Sequence, residues 1–350
     1  MLGLDDDNQP IYQVVWRKPV RRRWWLLAAM AFMVFTFLGS FVRYQSILSK
    51  QQQLEVRFYT QNIRFDNQNL DKGEQPWSER KHQLIRSIEI NAGTATQPVV
   101  VGLQEVLYNQ LQDVLAELNR HDSGKWSYFG KGRDDGEHGG EFAPVLYQPR
   151  QWKVKDKQVY WLSPTPDRPS KGWDAALNRV VTVVTLTSKI QPMVTIKVLV
   201  THFDHKGEEA RRHAASFIGD IMTNSTEPAF LLGDLNTEPD DEPYKVLHSL
   251  GLRDSKKLAG KYAFGEKYTY TGFNHAKEEN TLIDYIWAPH SAFYRSSLDE
   301  GEVEQSARDE VEVELQRFGV LANYYQGQYF SDHRPVVADY RITSTSFGNN

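Results

Sequence analysis

The chain has 350 residues, 40% hydrophobic and 25% charged, with a formal net charge of −4, a composition that supports one large core with an appendage. It contains no cysteine, which excludes disulfides, thiol catalysis and cysteine-ligated zinc. Seven Lys/Arg against three Asp lie in the first fifty residues, so the remainder, with 34 Lys/Arg against 42 Asp/Glu, is acidic and unsuited to sequence-independent grip on long nucleic acid, while a small anionic substrate held by a metal stays open.

In chain order, residues 1–23 form a basic tail, and 24–42 carry no charge and read Leu26, Leu27, Phe32, Val34, Phe35, Phe37, Leu38 and Phe41. At about 1.5 Å per residue this stretch spans about 28 Å, close to the ~30 Å hydrocarbon thickness of a bilayer. Arg17, Lys18, Arg21, Arg22 and Arg23 precede it and Arg43 and Lys50 follow, so the positive-inside bias predicts a cytoplasmic amino terminus and a type II, single-pass signal-anchor with the body lumenal or extracellular. A cleaved signal peptide fits less well, because the apolar run exceeds the usual ~7–15-residue core. Residues 43–53 read as a stalk, 54–343 as one catalytic domain and 344–350 as a tail. Asn224-Ser225-Thr226 is a sequon, usable for a glycan only across a secretory membrane.

Within the domain, strand-like runs are expected at Val56–Phe65, Pro98–Leu103, Val194–Thr201, Ala229–Leu232, Leu282–Trp287 and Pro335–Ile342. Helical spacing appears at Ser78–Ile90, Leu107–Leu118 and Glu208–Met222, and the glycines of 130–140 and the stretch 163–173 mark loops. Strands outnumber helices, which argues for sheets packed face to face with helices outside.

The strands end in polar residues that a core does not need. Gln61-Asn62-Ile63-Arg64, Gln104-Glu105, His202-Phe203-Asp204, Gly233-Asp234-Leu235-Asn236, Asp284 and Ser331-Asp332-His333 each border an apolar run. Singly, an Asp or Asn after a strand is a turn former and a Glu a helix-start carboxylate. Six such clusters at strand ends, if the strands share a sheet edge, predict one cleft.

These motifs, QNIR, LQEV, THFDH, GDLN, IDYI and SDHRPV, resemble the ordered set of the endonuclease/exonuclease/phosphatase superfamily over about Leu54 to Tyr340. The stretches Trp161–Arg179 and Gly139-Gly140-Glu141-Phe142 resemble one branch of it. The resemblance implies an α/β fold, a four-layered α/β sandwich of two packed mixed β-sheets flanked by helices, here preceded by one transmembrane helix. It also implies hydrolysis of phosphate esters.

A phosphoryl group is anionic, so its site must neutralise charge, position water and stabilise the leaving oxygen. Glu105 is expected as the principal Mg²⁺ ligand, with Asn62 and Asp332 as direct or water-mediated partners; oxygen ligation without cysteine suits Mg²⁺ or Mn²⁺ better than zinc. Asp234 is expected to orient or deprotonate water, Asn236 to bind a phosphoryl oxygen, His333 to act as acid/base held by Asp284, and His202 to stabilise developing charge. Arg179 is a further candidate for phosphate binding, against a purely salt-bridged role. Asp204 and His205 read as supporting residues, and Trp161, Trp173, Tyr268 and Tyr270 as core or, alternatively, a substrate wall.

The substrate is expected to be a phosphodiester, with a lipid head group, a small phosphodiester or nucleic acid as the classes, the membrane as a partner through the amino-terminal helix, and no protein partner. The rivals are a secretory or extracellular nuclease and a catalytically silent, membrane-displayed binding module.

Overall fold

The runs Val99–Leu103 and Ala229–Leu232, apolar without alternation, become interior strands buried along their whole length. The lysine-bearing run Trp152–Trp161 instead forms an edge strand, where charge discourages pairing with another chain. The computed structural model describes residues 30, 32–36, 50–93, 97–289 and 310–346. In chain order its elements are β1 (Lys50–Asn62), α1 (Trp77–Ile88), β2 (Val99–Gln104), α2 (Tyr108–Leu118), β3 (Ser127–Phe129), β4 (Val145–Tyr147), β5 (Trp152–Trp161), β6 (Val180–Ser188), β7 (Thr195–His202), α3 (Glu208–Thr223), β8 (Ala229–Asp234), α4 (Glu242–Ser249), β9 (Arg253–Asp254), α5 (Ser255–Ala259), β10 (Phe264–Gly265), β11 (Asp284–Ala288), β12 (Glu310–Val320), β13 (Tyr324–Tyr325), β14 (Gln328–Tyr329) and β15 (Val336–Ser346).

The chain divides into two units, Met1–Lys50 with Phe347–Asn350, and Gln51–Ser346. In the first, residues 30 and 32–36 are exposed helix. No helix among the described residues is long and apolar enough to cross a membrane, and most of the segment 24–42 expected to do so lies outside them, as does the tail 1–23.

The second unit is mixed α/β, with two large packed sheets and helices. One sheet has the order β10-β12-β15-β1-β2-β4-β3 and the other β5-β6-β7-β8-β11-β9. Between them Phe58, Val100, Val200, Phe230, Ile286 and Tyr340 form the largest apolar cluster, with the Phe58 and Phe230 ring centroids 4.3 Å apart. Truncating Phe230 to alanine there costs about 3–5 kcal/mol. Helices α1 and α2 lay Trp77, Leu84, Ile85, Leu111 and Val114 against Tyr59, Val101 and Leu103 of the first sheet. Helices α3 and α4 lay Ala214, Ile218, Tyr244 and Leu247 against Leu199 and Leu231 of the second. Gly102 permits the close approach of the sheets, since a Cβ there would meet Val200 Cγ2 at 2.7 Å.

Three expectations need correction. The end of the stalk is strand: Gln52 Oε1 accepts from the Met193 amide at 2.7 Å and Gln53 Nε2 donates to Thr343 Oγ1 at 3.3 Å. Strand β15 continues past residue 343 to Ser346, because β12 extends alongside it with Glu310 opposite Thr345. The polar clusters do not share one sheet edge; they occupy the facing ends of two sheets. Asn62 pairs with Gln104 at the end of β1–β2, while His202 pairs with Asp234 and Asp234 with Asp284 at the end of β7–β8–β11.

Candidate active site

Strand ends deliver the polar groups because the chain must leave the sheet there, and tight exits hold several of them in unusual backbone conformations. Arg64, Glu105 and Asn236 have φ of 55°, 59° and 44°, left-handed values that cost non-glycine residues energy and concentrate at functional positions. In GDLN the glycine is required by packing, since a Cβ on Gly233 would collide with the Thr201 carbonyl.

Asp234 is the centre. Its Oδ2 accepts from Asn62 Nδ2 at 3.0 Å and lies 3.5 Å from His202 Nε2 and 3.7 Å from His333 Nε2; its Oδ1 accepts from the Asn236 amide at 2.9 Å. Burial and Asp284 push its carboxyl above the usual range, against the opposing pull of both histidines.

His333 Nδ1 donates to Asp284 Oδ2 at 2.9 Å. Burial disfavours the charged ring, but Asp284 and Asp234 outweigh it and push His333 up to about 10, so the ring carries both protons at neutral pH. The other Asp284 oxygen has no hydrogen-bond partner among the described residues, so His333 is the chief polar partner of this buried side chain.

His202 has the opposite character. Burial and Arg179 pull it down to about 3, so it is neutral. Arg179 Nη1 lies 2.9 Å from His202 Nδ1, and because a guanidinium only donates, Nδ1 accepts and the ring proton sits on Nε2, facing Asp234 Oδ2, while the nearby Asn236 Nδ2 donates to the Phe203 carbonyl. The rest of the Arg179 fork bonds Asp204 Oδ2 at 3.3 Å and His205 Nδ1 at 3.1 Å.

Glu105 Oε1 accepts from Asn62 Nδ2 at 2.9 Å and Oε2 from the Phe65 amide at 3.2 Å. Burial and Glu141 raise its proton affinity, but His202, Asn62 and His333 prevail and hold it below the usual carboxylate range. Burial pushes Asp332 up to about 6, with Glu105 adding to the rise and His333 opposing it.

Seven of the expected residues, Glu105, Arg179, His202, Asp234, Asn236, Asp332 and His333, line one cavity of about 390 Å³. Asn62 and Asp284 stand behind it through the bonds described. Asn62 presents its amide nitrogen to Glu105 and Asp234, which it steers, while its Oδ1 accepts from the Arg64 amide at 2.9 Å. Asp204 is structural: it accepts from the amides of Ala176, Leu177, Lys206 and Gly207. Of the aromatic candidates only Tyr270 reaches the cavity. Trp161 is buried with its Nε1 on the Arg133 carbonyl, and Trp173 stacks on His213 at 4.0 Å. Asp174, beside it, caps α3 by accepting from the Ala210 amide at 2.7 Å.

The cavity also includes Arg64, Phe65, Glu141, Leu177, His205 and Ile283. Glu141 forms a two-pronged pair with Arg133 at 2.7 and 2.9 Å and lies 3.6 Å from His202 Nδ1. The only sequence signal for it was the Gly139-Gly140-Glu141-Phe142 stretch.

A divalent cation fits this donor set. Ligand atoms of Glu105, His202 and Asp234 lie within 4.8 Å of one another. Glu105 and Asp332 face the same cavity, and Glu105 raises the proton affinity of Asp332, a repulsion that a cation relieves.

The family model for the endonuclease/exonuclease/phosphatase family matches residues 59–333. No curated protein matches the chain. Among solved structures, an endonuclease/exonuclease/phosphatase family protein from Bacteroides thetaiotaomicron is 26% identical with a TM-score of 0.68, over 83% of this chain and 96% of that one. A protein described in the same way from Bacteroides vulgatus is 28% identical with a TM-score of 0.66, over 82% and 98%. A mannosyl-6-phosphatase from Bacteroides thetaiotaomicron is 26% identical with a TM-score of 0.65, over 81% and 99%.

Proposed function

Because this chain belongs to the endonuclease/exonuclease/phosphatase family, we propose that it is a Mg²⁺-dependent phosphoesterase acting on phosphodiesters. The observation that carries this reading is the convergence of Asn62, His202 and His333 on Asp234 Oδ2 at 3.0–3.7 Å, beside Glu105 and Asp332. Glu105 and Asp332 would hold the Mg²⁺, or Mn²⁺, which when bound supplies neutralisation of phosphoryl charge. Asn62 keeps Glu105 and Asp234 apart and aimed.

In the reaction Asp234 accepts a proton from the attacking water. His333, doubly protonated and held by Asp284, donates through Nε2 to an oxygen of the phosphoryl or leaving group. His202 offers a neutral Nε2–H to the phosphoryl group, fixed in that tautomer by Arg179. Asn236 supplies an amide for the same purpose.

A second reading, hydrolysis of a sugar phosphate monoester, is favoured by the likeness to the mannosyl-6-phosphatase and by a cavity of about 390 Å³, at the small end for ligand sites. Hydrolysis of bis-p-nitrophenyl phosphate, p-nitrophenyl phosphate and mannose 6-phosphate by the full chain separates the two. Preferential cleavage of the diester supports the first reading, and preferential cleavage of either monoester replaces it with the second. A nuclease is disfavoured by the acidic body.

The charge-free segment 24–42 and the arginines before it support a signal-anchor with the domain across the membrane. In that topology the exposed Asn224 side chain is available to a glycan.

A further inference from the structure

The segment from Arg253 to Tyr268 departs from the acidic character of the body. It carries Arg253, Lys256, Lys257, Lys261 and Lys267 against Asp254 and Glu266. Asp254 is buried and accepts from Tyr244 Oη and the Lys256 amide. The outward charge is therefore cationic, with Lys257, Lys261 and Lys267 all exposed and Glu266 the one exposed acid.

The same segment displays the two most exposed large hydrophobic side chains among the described residues of the Gln51–Ser346 unit, Tyr262 at 80% and Phe264 at 74%. Their neighbours are turned the other way: Leu258, Ala259 and Ala263 pack against the core between the sheets. The local order is thus inverted, with a small alanine inward and two flanking aromatics in water. Scattered single apolar residues on a surface need no explanation, but paired aromatics framed by lysines form a surface with a preferred partner. Lys261 Nζ sits 5.1 Å over the Tyr262 ring and Lys267 Nζ 4.8 Å over that of Tyr268, so cation and ring are presented together. An exposed tyrosine and phenylalanine, flanked by long ammonium side chains, suit the boundary of a bilayer: the rings enter the head-group layer and the lysines meet lipid phosphates.

The position gives this surface a consequence. Phe264 and Gly265 pair with Gly319 and Val320, at the end of β12 where Val320 lies opposite Val336. The chain then runs directly from Gly265 to Tyr270, whose ring lies 4.9 Å from that of His333 on the cavity wall. The exposed pair therefore sits at the same end of the sheet as the catalytic cluster.

We propose that Tyr262 and Phe264, with Lys257, Lys261 and Lys267, form an interfacial docking surface for an anionic phospholipid bilayer, seating the domain with the active-site end of its first sheet close to the lipid. Charge complementarity on an otherwise acidic domain selects a lipid surface over an apolar protein partner. The inference depends on neither the phosphoesterase reading nor the amino-terminal anchor.

The absence of cysteine makes the test direct. Full-length Tyr262→Cys is labelled with the environment-sensitive fluorophore NBD and examined on vesicles of phosphatidylcholine, with and without phosphatidylglycerol, some carrying doxyl-quencher lipid. Ile190→Cys, at an exposed turn away from this segment, is the control for mere tethering near the membrane. The expected result is a blue-shifted NBD emission at position 262, quenched by doxyl lipid, on phosphatidylglycerol vesicles only, with position 190 unchanged. Replacing Lys257, Lys261 and Lys267 by glutamine in the labelled chain should weaken docking by about fivefold per lysine. Water-like emission at position 262 on anionic vesicles, equal signals at positions 262 and 190, or docking indifferent to the lysines would each overturn the proposal.

Discussion

Asn62 Nδ2 donates to Asp234 Oδ2 at 3.0 Å, and the same nitrogen donates to Glu105 Oε1 at 2.9 Å. One amide at the end of β1 thereby joins the first sheet to the second and keeps two carboxylates in fixed separation. Asn62→Leu, similar in size, removes both bonds. The expected result is a loss of about 10²–10³-fold in kcat and of about 1–3 kcal/mol in stability without added metal. Turnover and denaturant unfolding measure the two, and an unchanged kcat would show that the bridge is not needed.

Glu105 is held at φ 59°, so function and backbone comfort oppose each other there. Glu105→Ala and Glu105→Gly both remove the carboxylate, but only glycine tolerates that conformation freely. The glycine variant is predicted to be the more stable of the two by about 1 kcal/mol, with both inactive. Unfolding curves in chelator compare them directly. Equal stability would mean that the turn is unstrained.

The pull on His202, down to about 3, has a definite sign in acid. The unfolded chain binds a proton at this side chain near pH 6.5 while the native chain does not, so the stability that neutral His202 contributes is complete above that pH. It is lost as pH falls toward 3, at up to about 1.4 kcal/mol per pH unit. His202→Asn should remove this component, so the two proteins' unfolding free energies converge or cross as pH is lowered from 7 to 4. Parallel curves would contradict the neutral assignment.

Arg179 bonds His202, Asp204 and His205 with one planar fork, which lysine cannot reproduce. Arg179→Lys is expected to lower kcat by about 10²-fold. Steady-state kinetics on the diester tests it, and a purely structural arginine would lower thermal stability while leaving kcat in the folded protein near normal.

Much of this arrangement was legible because the clusters lie next to apolar runs that set strand ends, as in Gly233-Asp234-Leu235-Asn236 after Ala229–Leu232. What pairing would do with those ends was not: the strand runs alone do not say that Asn62 and Asp234 belong to different sheets. Glu141 and Arg64 lie in stretches that the sequence marks, but their roles are not readable from it, for different reasons. Glu141 arrives from a glycine-rich loop with no periodicity, and the direction of Arg64 depends on a left-handed backbone turn. Strand β12 alternates Val311, Val313 and Leu315 with Glu312 and Glu314, a period-2 pattern that fits a strand with one buried face. Residue type also does not reveal which end of the Asn62 amide faces the carboxylates.

The measurement that bears most directly on the central claim is hydrolysis of bis-p-nitrophenyl phosphate by the full-length protein with Mg²⁺, with Mn²⁺ and with chelator, beside Glu105→Ala and His333→Ala. The account predicts cleavage that requires the metal and falls by at least about 10²-fold in each variant. Cleavage that persists in chelator, or that survives both substitutions, would contradict it.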